Sequence, residues 1–367
     1  MKTVPVWILG IGGVGGALLD ILRDSHTRAG LRDRLGLRIA PVLLADSSSY
    51  VFNAEGLNDI VIDTALANKR AGSALADGNL GPSVHDEREV FEMLRAAIDL
   101  TGAIGVDITA SDRMVPLWLD ALAAGAGVVL ANKKPLTGNQ DEFMSLVKAR
   151  RCRHEATVGA GLPVVNTLYA LLDSGDTVTS IQGCFSGTLG YICSAINGGI
   201  PYSVAVKEAV EAGYAEPDPR DDLCGLDVAR KALILSRMTG QSLDLCDLSV
   251  QPMIPEILDG LSLDEFMRRL PEADAEMSEH VRRAGERGEV LSYVADLSTE
   301  TPTIGLRSVP GTSPIGSLSG TDNIAVFQTA RYNTTPLVIQ GPGAGREVTA
   351  AGVLSDIIAL AREENAS

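Results

Sequence analysis

The first 150 residues alternate short, mostly apolar runs with longer segments in which apolar residues recur at helical spacing. The short runs have strand length and lie at residues 4–9, 39–45, 104–108 and 128–131. The helical patterns lie at residues 15–23, 114–124 and 141–150. Buried strands joined by crossover helices are typical of a parallel sheet covered on both faces. The sequence therefore predicts an α/β fold in which residues 1–150 form a doubly wound parallel sheet.

The pattern changes after residue 150. Strand-like segments lie at residues 177–185, 292–298, 303–308 and 324–329, and helical patterns at 188–196, 203–212, 228–238 and, strongly charged, 272–289. A further helix is expected to begin at Ser262, because Ser262 and Glu265 have the spacing of a capping box. We predict an α+β region over residues 151–340, with a mixed or antiparallel sheet that serves substrate binding, catalysis and dimerisation.

The final segment repeats the order of strand, glycine turn and helix. A segment with three glycines, residues 341–345, precedes an apolar helical pattern at 348–361. We expect residues 341–367 to pack back on the N-terminal domain and complete it as a dinucleotide-binding domain.

Length and charge narrow the possible functions. A chain of 367 residues exceeds the usual size of one core, so two or more domains are expected. The net charge of −16 argues against nucleic acid or an anionic membrane as a partner. No apolar stretch approaches the ~20 residues that span a bilayer. The five cysteines lack CxxC spacing, which favours reduced thiols in a cytoplasmic protein.

A glycine-rich turn directly follows the first predicted strand. It has the pattern GxGxxG and consists of Gly10, Ile11, Gly12, Gly13, Val14 and Gly15. Glycines allow a tight turn there and let the backbone approach a pyrophosphate at the N-terminus of the next helix. The pattern is weak by itself, but its place between a strand and a helix in phase favours a Rossmann-type cofactor site.

Polar residues after later strands extend this predicted site. Asp46 follows the second strand, where a carboxylate accepts ribose hydroxyls and repels a 2′-phosphate, which favours NAD over NADP. The serines at residues 47–49 could soften that preference, and the less favoured alternative is that Asp46 is only a turn residue at the end of the strand. Thr109 and Ser111 follow the third strand and are expected beside the nicotinamide, because ligands bind outside the carboxyl ends of the strands.

Two adjacent lysines, Lys133 and Lys134, follow the fourth strand. Paired lysines often serve only solubility. Their position at the carboxyl end of a strand favours a functional role for Lys133.

The most distinctive segment covers residues 213–231. Five carboxylates surround one lysine, Lys231, and they are Glu216, Asp218, Asp221, Asp222 and Asp227. An acidic rim around a single amine suits a small substrate that is itself an amine.

Helical phase explains why Lys231 stands out. Gly225 frees the chain to enter a helix that carries Asp227 and Lys231 four residues apart on one face. Arg230 and Arg237 mark the expected solvent face, whereas Lys231 falls at the edge of the apolar stripe. Such a lysine either snorkels beside Asp227 or acts as an active-site amine, which loses its proton more easily when desolvated.

Five segments together resemble homoserine dehydrogenase. They are residues 213–231, 155–163, 185–189, 132–134 and 341–345. The resemblance covers nearly the whole chain and is closest to the short monofunctional form, so we expect neither an aspartokinase domain nor an ACT domain. It implies NAD- or NADP-dependent interconversion of L-homoserine and L-aspartate 4-semialdehyde, a step in threonine, methionine and isoleucine biosynthesis, by a homodimer.

The resemblance also implies roles for single residues. Lys231 corresponds to the catalytic acid/base and Lys133 to a second active-site lysine. Glu216, Asp227 and Asp222 correspond to substrate-binding carboxylates, and Gly213 and Gly343 to cofactor contacts. Glu155, with the backbone carbonyls of Val158, Ala160 and Leu162, corresponds to a monovalent cation site, usually sodium, whose hard ion prefers oxygen ligands.

Two other functions remain open on the sequence. A polyol or sugar dehydrogenase of the glucose–fructose oxidoreductase type also pairs a Rossmann domain with a lysine-proline, which Lys134 and Pro135 match. Sugars, however, give no reason for the carboxylates of residues 213–231. A non-catalytic dinucleotide sensor would keep the glycine turn but would not need Lys133 and Lys231 together.

Overall fold

The computed structural model describes residues 1–83, 86–148 and 150–363. The chain forms two compact units, one of Met1–Gly161 with Gly345–Ser367 and one of Leu162–Ala344. The boundaries therefore fall at residues 161/162 and 344/345, whereas the sequence placed them at 150/151 and 340/341. Ala149, inside the predicted helix 141–150, lies outside the described residues, and so do residues 364–367.

The first unit is built on a six-stranded sheet. Its strands are β1 (Lys2–Leu9), β2 (Leu37–Ala45), β3 (Tyr50–Phe52), β4 (Ile104–Asp107), β5 (Gly127–Leu130) and β6 (Cys152–Arg153). Its helices before residue 161 are α1 (Gly13–Arg23), α2 (Ser25–Leu35), α3 (Asp59–Arg70), α4 (Glu87–Ala97), α5 (Val115–Ala123), α6 (Lys134–Thr137) and α7 (Gln140–Lys148).

The strand order of this sheet is β3-β2-β1-β4-β5-β6. All neighbours pair in parallel except β3, which runs antiparallel to β2 at the edge. The order reverses direction between β1 and β4, and the carboxyl ends beside this point form the usual ligand crevice of such sheets. The predicted doubly wound fold is confirmed.

Both faces of the sheet are buried, which explains the unbroken apolar runs. Val4, Val6 and Ile8 belong to one core cluster with helix α1. Between them Trp7 points to the opposite face and stacks on Trp118 of α5, with ring centroids 6.3 Å apart. Gly105 makes room for this pair, since a Cβ there would lie 2.4 Å from both rings.

The second unit combines seven helices with a second six-stranded sheet. The helices are α8 (Val164–Asp173), α9 (Gly187–Asn197), α10 (Tyr202–Glu211), α11 (Arg220–Leu223), α12 (Leu226–Met238), α13 (Leu263–Arg269) and α14 (Asp274–Gly285). The strands are β7 (Val178–Cys184), β8 (Ser249–Val250), β9 (Glu289–Asp296), β10 (Thr303–Pro310), β11 (Asp322–Thr329) and β12 (Leu337–Pro342).

This second sheet has the order β12-β11-β7-β9-β10-β8. All its pairs are antiparallel except β8 with β10. The expected mixed sheet is therefore confirmed. Helix α13 begins as predicted, because the Ser262 hydroxyl accepts the N–H of Glu265.

The chain returns to the first unit with α15 (Arg346–Glu363). Val353 and Ile357 are completely buried in the same cluster as Val4 and Ile8. Gly352 and Gly161 permit close packing, because a Cβ on Gly352 would lie 2.7 Å from the Ala160 carbonyl oxygen. The last helix is thus an integral part of the N-terminal core.

All five cysteines are free thiols. Among the residues that the structure describes, every helix is too short or too polar to cross a lipid bilayer.

Candidate functional site

The glycine turn of the first unit has the backbone that its sequence requires. Gly10 has φ +99°, and a Cβ there would lie 2.5 Å from the Ile108 carbonyl oxygen. A Cβ on Gly15 would lie 2.4 Å from the Gly10 carbonyl oxygen. The turn therefore needs glycine at both positions, and it presents the N-terminus of α1, whose first turn contains no acidic residue.

Arg346 lies beside the same turn and was not anticipated from the sequence. A Cβ on Gly13 would lie 2.6 Å from Arg346 Nε, so the guanidinium covers the first turn of α1. A cation there complements the positive end of the helix in attracting a phosphate. The only signal in the sequence is that Arg346 directly follows the second glycine-rich segment.

Asp46 follows β2 as predicted, but it has a partner that the sequence did not reveal. Its carboxylate pairs with Lys69 of α3 at 2.7 Å and accepts the N–H groups of Ser48 and Ser49. Burial raises the pKa of Asp46, but these donors outweigh it and hold the pKa below its usual value. The strand end therefore presents an ammonium together with the carboxylate.

Asp107 is the centre of a buried network after β4. Its carboxylate is fully buried and accepts four hydrogen bonds, from Thr109 N, Thr109 Oγ1, Trp118 Nε1 and Asn132 Nδ2. Burial raises the pKa of Asp107 above its usual value in spite of these donors. The Thr109 hydroxyl is therefore turned inward, toward Asp107.

Asn132 connects this network to the lysine pair after β5. Its amide donates to the Ser111 carbonyl at 2.7 Å, and its Oδ1 accepts the Lys134 N–H at 3.1 Å. Lys133, between them, is half-buried and directly precedes helix α6 as its N-cap residue. The structure thus brings Thr109, Ser111 and Lys133 to one edge of the sheet.

The expected cation ligands lie in a tight turn after β6. Glu155 is buried, and its N–H donates to the carboxylate of Asp356 on α15 at 2.7 Å. Ala160 has φ +57°, and its carbonyl oxygen lies close to Gly352. Leu162 opens the second unit, and its carbonyl accepts the Val164 N–H.

The donors of this turn are one buried carboxylate and backbone carbonyls. Within residues 1–83, 86–148 and 150–363, no group of three or more His, Cys, Asp or Glu side chains is arranged to hold a metal. Such oxygen donors fit a monovalent hard cation better than a transition metal, which prefers nitrogen or sulfur.

In the second unit, Lys231 is buried as an active-site amine would be. Its Nζ donates to the Phe185 carbonyl at 2.6 Å and pairs with Asp227 at 2.8 Å. The lysine side chain is 11% exposed, whereas that of Asp227 is 46% exposed. The amine is therefore fixed by one carbonyl and one carboxylate while the carboxylate faces solvent.

The other carboxylates of residues 213–231 divide into two groups. Asp222 is half-buried and accepts the Glu216 N–H at 2.9 Å, and burial raises its pKa above the usual value. Thr188 Oγ1 lies 3.1 Å from Asp222 Oδ1 and 2.6 Å from the Tyr214 carbonyl. Asp222 thus orders the backbone of the acidic loop, and the Glu216 side chain on that loop is exposed.

Asp218 and Asp221 form the second group, one in a local ion pair and one facing solvent. Asp218 pairs with Arg220, and Asp221 is exposed. Gly213 adopts φ +70° in the turn after α10. Gly343 lies against Asn323, whose side chain a Cβ on Gly343 would overlap.

The prediction that Arg237 lies on the solvent face of α12 is wrong. Arg237 is buried, with its guanidinium donating to the Leu243 carbonyl at 2.9 Å and pairing with Asp244 at 2.9 Å. The chain after the helix folds back over Arg237 and supplies these acceptors, which helical phase alone could not show.

Comparisons with known proteins show which family the chain is similar to. A family model described as homoserine dehydrogenase matches residues 163–358. The homoserine dehydrogenase of Schizosaccharomyces pombe is 34% identical over 100% of this chain and 97% of its own length. A chloroplastic bifunctional aspartokinase/homoserine dehydrogenase of Zea mays is 39% identical over 98% of this chain, which spans 38% of that relative. A hyperthermophilic archaeal homoserine dehydrogenase solved with NADPH matches with a TM-score of 0.73 and 25% identity, covering 97% of each chain.

Proposed function

Since the chain belongs to the homoserine dehydrogenase family, an oxidoreductase family, we propose that it interconverts L-homoserine and L-aspartate 4-semialdehyde with a nicotinamide cofactor. The family inferred from the sequence is thereby confirmed, and the sugar dehydrogenase alternative is not favoured. The observation that carries the proposed reaction is the buried Lys231 amine, fixed beside the acidic loop of the second unit.

The first unit supplies the proposed cofactor site. The turn of residues 10–15 would take the pyrophosphate on α1, with the Arg346 guanidinium beside it. The Asp46–Lys69 pair changes the expected cofactor preference, because the ammonium offsets the repulsion of a 2′-phosphate by the carboxylate. We therefore propose that the enzyme accepts NADP, as the NADPH complex of the archaeal relative also suggests.

The second unit supplies the proposed substrate site. Glu216 and Asp227 carry exposed or half-exposed carboxylates that would bind the substrate ammonium through charge-assisted hydrogen bonds. Asp222 would act by holding the backbone at Glu216.

Lys231 is the proposed proton carrier. A lysine ammonium has three N–H donors, of which two are directed to the Phe185 carbonyl and to Asp227, so the third remains for the substrate oxygen. When bound, the nicotinamide supplies or accepts the hydride at the neighbouring carbon. Lys231 donates the proton to the aldehyde oxygen in reduction and removes it from the hydroxyl in oxidation. Lys133 is proposed as a second active-site lysine.

The test is the steady-state rate of homoserine oxidation, followed by cofactor absorbance. Lys231→Ala should lower kcat by about 10²–10⁴-fold, as expected for loss of a general acid/base. Lys207→Ala, on the exposed face of α10, is the matched control and should keep the wild-type rate. A Lys231→Ala enzyme with wild-type kcat would remove Lys231 from the reaction.

A second pair of variants tests the substrate site. Glu216→Ala should chiefly raise KM for homoserine, because it removes an ammonium partner that is used before and during the reaction. Asp221→Ala, five residues along the same acidic segment, should leave KM unchanged. An effect of Glu216→Ala on the cofactor KM alone would contradict the assignment.

We also propose that a monovalent cation binds at Glu155 and the backbone carbonyls of Val158, Ala160 and Leu162.

We propose further that the protein forms a homodimer. The dimer is supported by the open second sheet, whose edge strand β12 exposes Val338. The cytoplasmic location expected from the cysteine pattern stays a prediction.

A further inference from the structure

The carboxylate of Asp107 has no place in the chemistry proposed above, although it is the most completely enclosed acid at the edge of the first sheet. It is 0% exposed and accepts hydrogen bonds from three different parts of the chain. Burying a carboxylate has a desolvation cost even when its oxygens are hydrogen-bonded, so this arrangement needs an explanation beyond packing.

Forming the turn after β4 does not require such burial. Asp99, before the same strand, has the same Asp-x-Thr spacing and accepts the Thr101 N–H at 2.9 Å, the distance from Asp107 to the Thr109 N–H. Asp99 is exposed. The contacts of Asp107 with Trp118 and Asn132 are therefore additional to those that a local turn needs.

These additional contacts lead to Lys133. Asn132 donates to Asp107 Oδ2 at 3.3 Å and to the Ser111 carbonyl at 2.7 Å, while accepting the Lys134 N–H at 3.1 Å. The side chain of Asn132 is buried and spans the loops that follow β4 and β5. The backbone on both sides of Lys133 is thus tied to the loop of Thr109 and Ser111.

We propose that Asp107 is a positioning residue, which acts through Asn132 to fix Lys133 relative to the loop that carries Thr109 and Ser111. The inference rests on the proposed function, since it takes Lys133 as a second active-site lysine. A misplacement of about 1 Å at a reacting centre can cost about 10²-fold in rate, so a rigid link of this kind has a kinetic consequence.

The first experiment replaces Asp107 by asparagine in the full chain. Asp107→Asn keeps the shape, but its NH2 group must face either the donors of Trp118 and Asn132 or those of Thr109. We expect kcat to fall roughly 10–100-fold, with little change in KM for homoserine because Glu216 and Asp227 are untouched. Asp99→Asn is the matched control and should have the wild-type kcat.

The decisive measurement is a double-mutant cycle with Lys133→Ala. If Asp107 acts through Lys133, then Asp107→Asn should have little further effect on kcat once Lys133 is alanine. The inference would be overturned if the fold-losses in kcat of the two single variants multiplied in the double variant. A wild-type kcat in Asp107→Asn would also overturn it.

The cycle also separates this inference from the function on which it rests. A Lys133→Ala enzyme with wild-type kcat would overturn the proposed role of Lys133 and the positioning role together. A slow Lys133→Ala enzyme beside an unaffected Asp107→Asn enzyme would overturn the positioning role alone. If Asp107→Asn does not fold, Asn132→Ala breaks the same link from the other side, and the same non-additivity with Lys133→Ala is required of it.

Discussion

Gly225 combines a left-handed backbone with a close approach to the side chain of Tyr293. It has φ +73° and directly precedes α12, the helix of Asp227 and Lys231. A Cβ there would lie 2.0 Å from the Tyr293 hydroxyl oxygen. That hydroxyl belongs to a residue only 3% exposed and donates to the Gln251 carbonyl at 2.8 Å.

Gly225→Ala should therefore be destabilising through two separate effects. An L-residue in the left-handed region costs roughly 1–2 kcal/mol. Displacing the Tyr293 hydroxyl leaves buried polar groups without partners, which costs about 1–3 kcal/mol. Together these lower the free energy of unfolding by about 2–5 kcal/mol, which corresponds to a fall in Tm of roughly 5–15 °C for a unit of this size.

The assay is urea unfolding followed by far-UV circular dichroism, because both tryptophans, Trp7 and Trp118, lie in the first unit. Gly240→Ala is the matched control, since Gly240 follows the same helix with φ +93° and has no atom within 4 Å of a Cβ. It should show the conformational cost alone. In a Tyr293→Phe background, Gly225→Ala should lose most of its excess cost over Gly240→Ala, because the nearest remaining ring carbon lies 3.0 Å from the added Cβ. Equal costs for the two glycines in the wild-type background would refute the steric argument.

Three further predictions concern the cofactor, the cation and pH. Lys69→Ala should lower kcat/KM for NADP about 10-fold or more while leaving kcat/KM for NAD unchanged. Arg346→Ala should weaken the binding of both cofactors alike, because both contain the pyrophosphate. Equal losses with NADP and NAD in Lys69→Ala would contradict the role of Lys69 at the 2′-phosphate. Glu155→Gln should raise the sodium concentration that gives half-maximal protection against thermal unfolding, and an unchanged sodium response would count against the cation site. Hydrogen bonds from Arg282 and Arg283 lower the pKa of Glu279 to about 2. The ionised Glu279 therefore stabilises the folded protein fully above the ordinary glutamate pKa, and this contribution is lost as pH falls toward about 2. Glu279→Gln should thus be slightly less stable near neutral pH, with a deficit that shrinks in acid and in salt.

The elements that the sequence predicted well are those whose burial is uniform along the segment. The parallel strands read as apolar runs because helices cover both faces, as Trp7 against Trp118 and Ile8 against the opposite cluster show. The three-residue strand β3 and the edge strand β12, whose burial alternates between half-buried and exposed, gave no such signal.

In the candidate site, contacts between residues close in sequence could be predicted, whereas contacts between distant segments could not. The pairing of Lys231 with Asp227 is a contact four residues apart, so helical phase was enough to anticipate it. Lys69 on helix α3 reaches Asp46 after strand β2, and the acceptors of Arg237 lie in the chain that follows α12. Contacts of this kind depend on tertiary packing, which no local pattern encodes.

The return of the last helix to the first core has a consequence for synthesis on the ribosome. The second unit is one uninterrupted stretch of chain and can fold as soon as it has emerged. The first unit begins earlier but cannot close until α15 delivers Val353 and Ile357 to the cluster that contains Val4. The order of folding should therefore reverse the order of translation, and the nascent first unit should expose an unfinished apolar surface until α15 has been made.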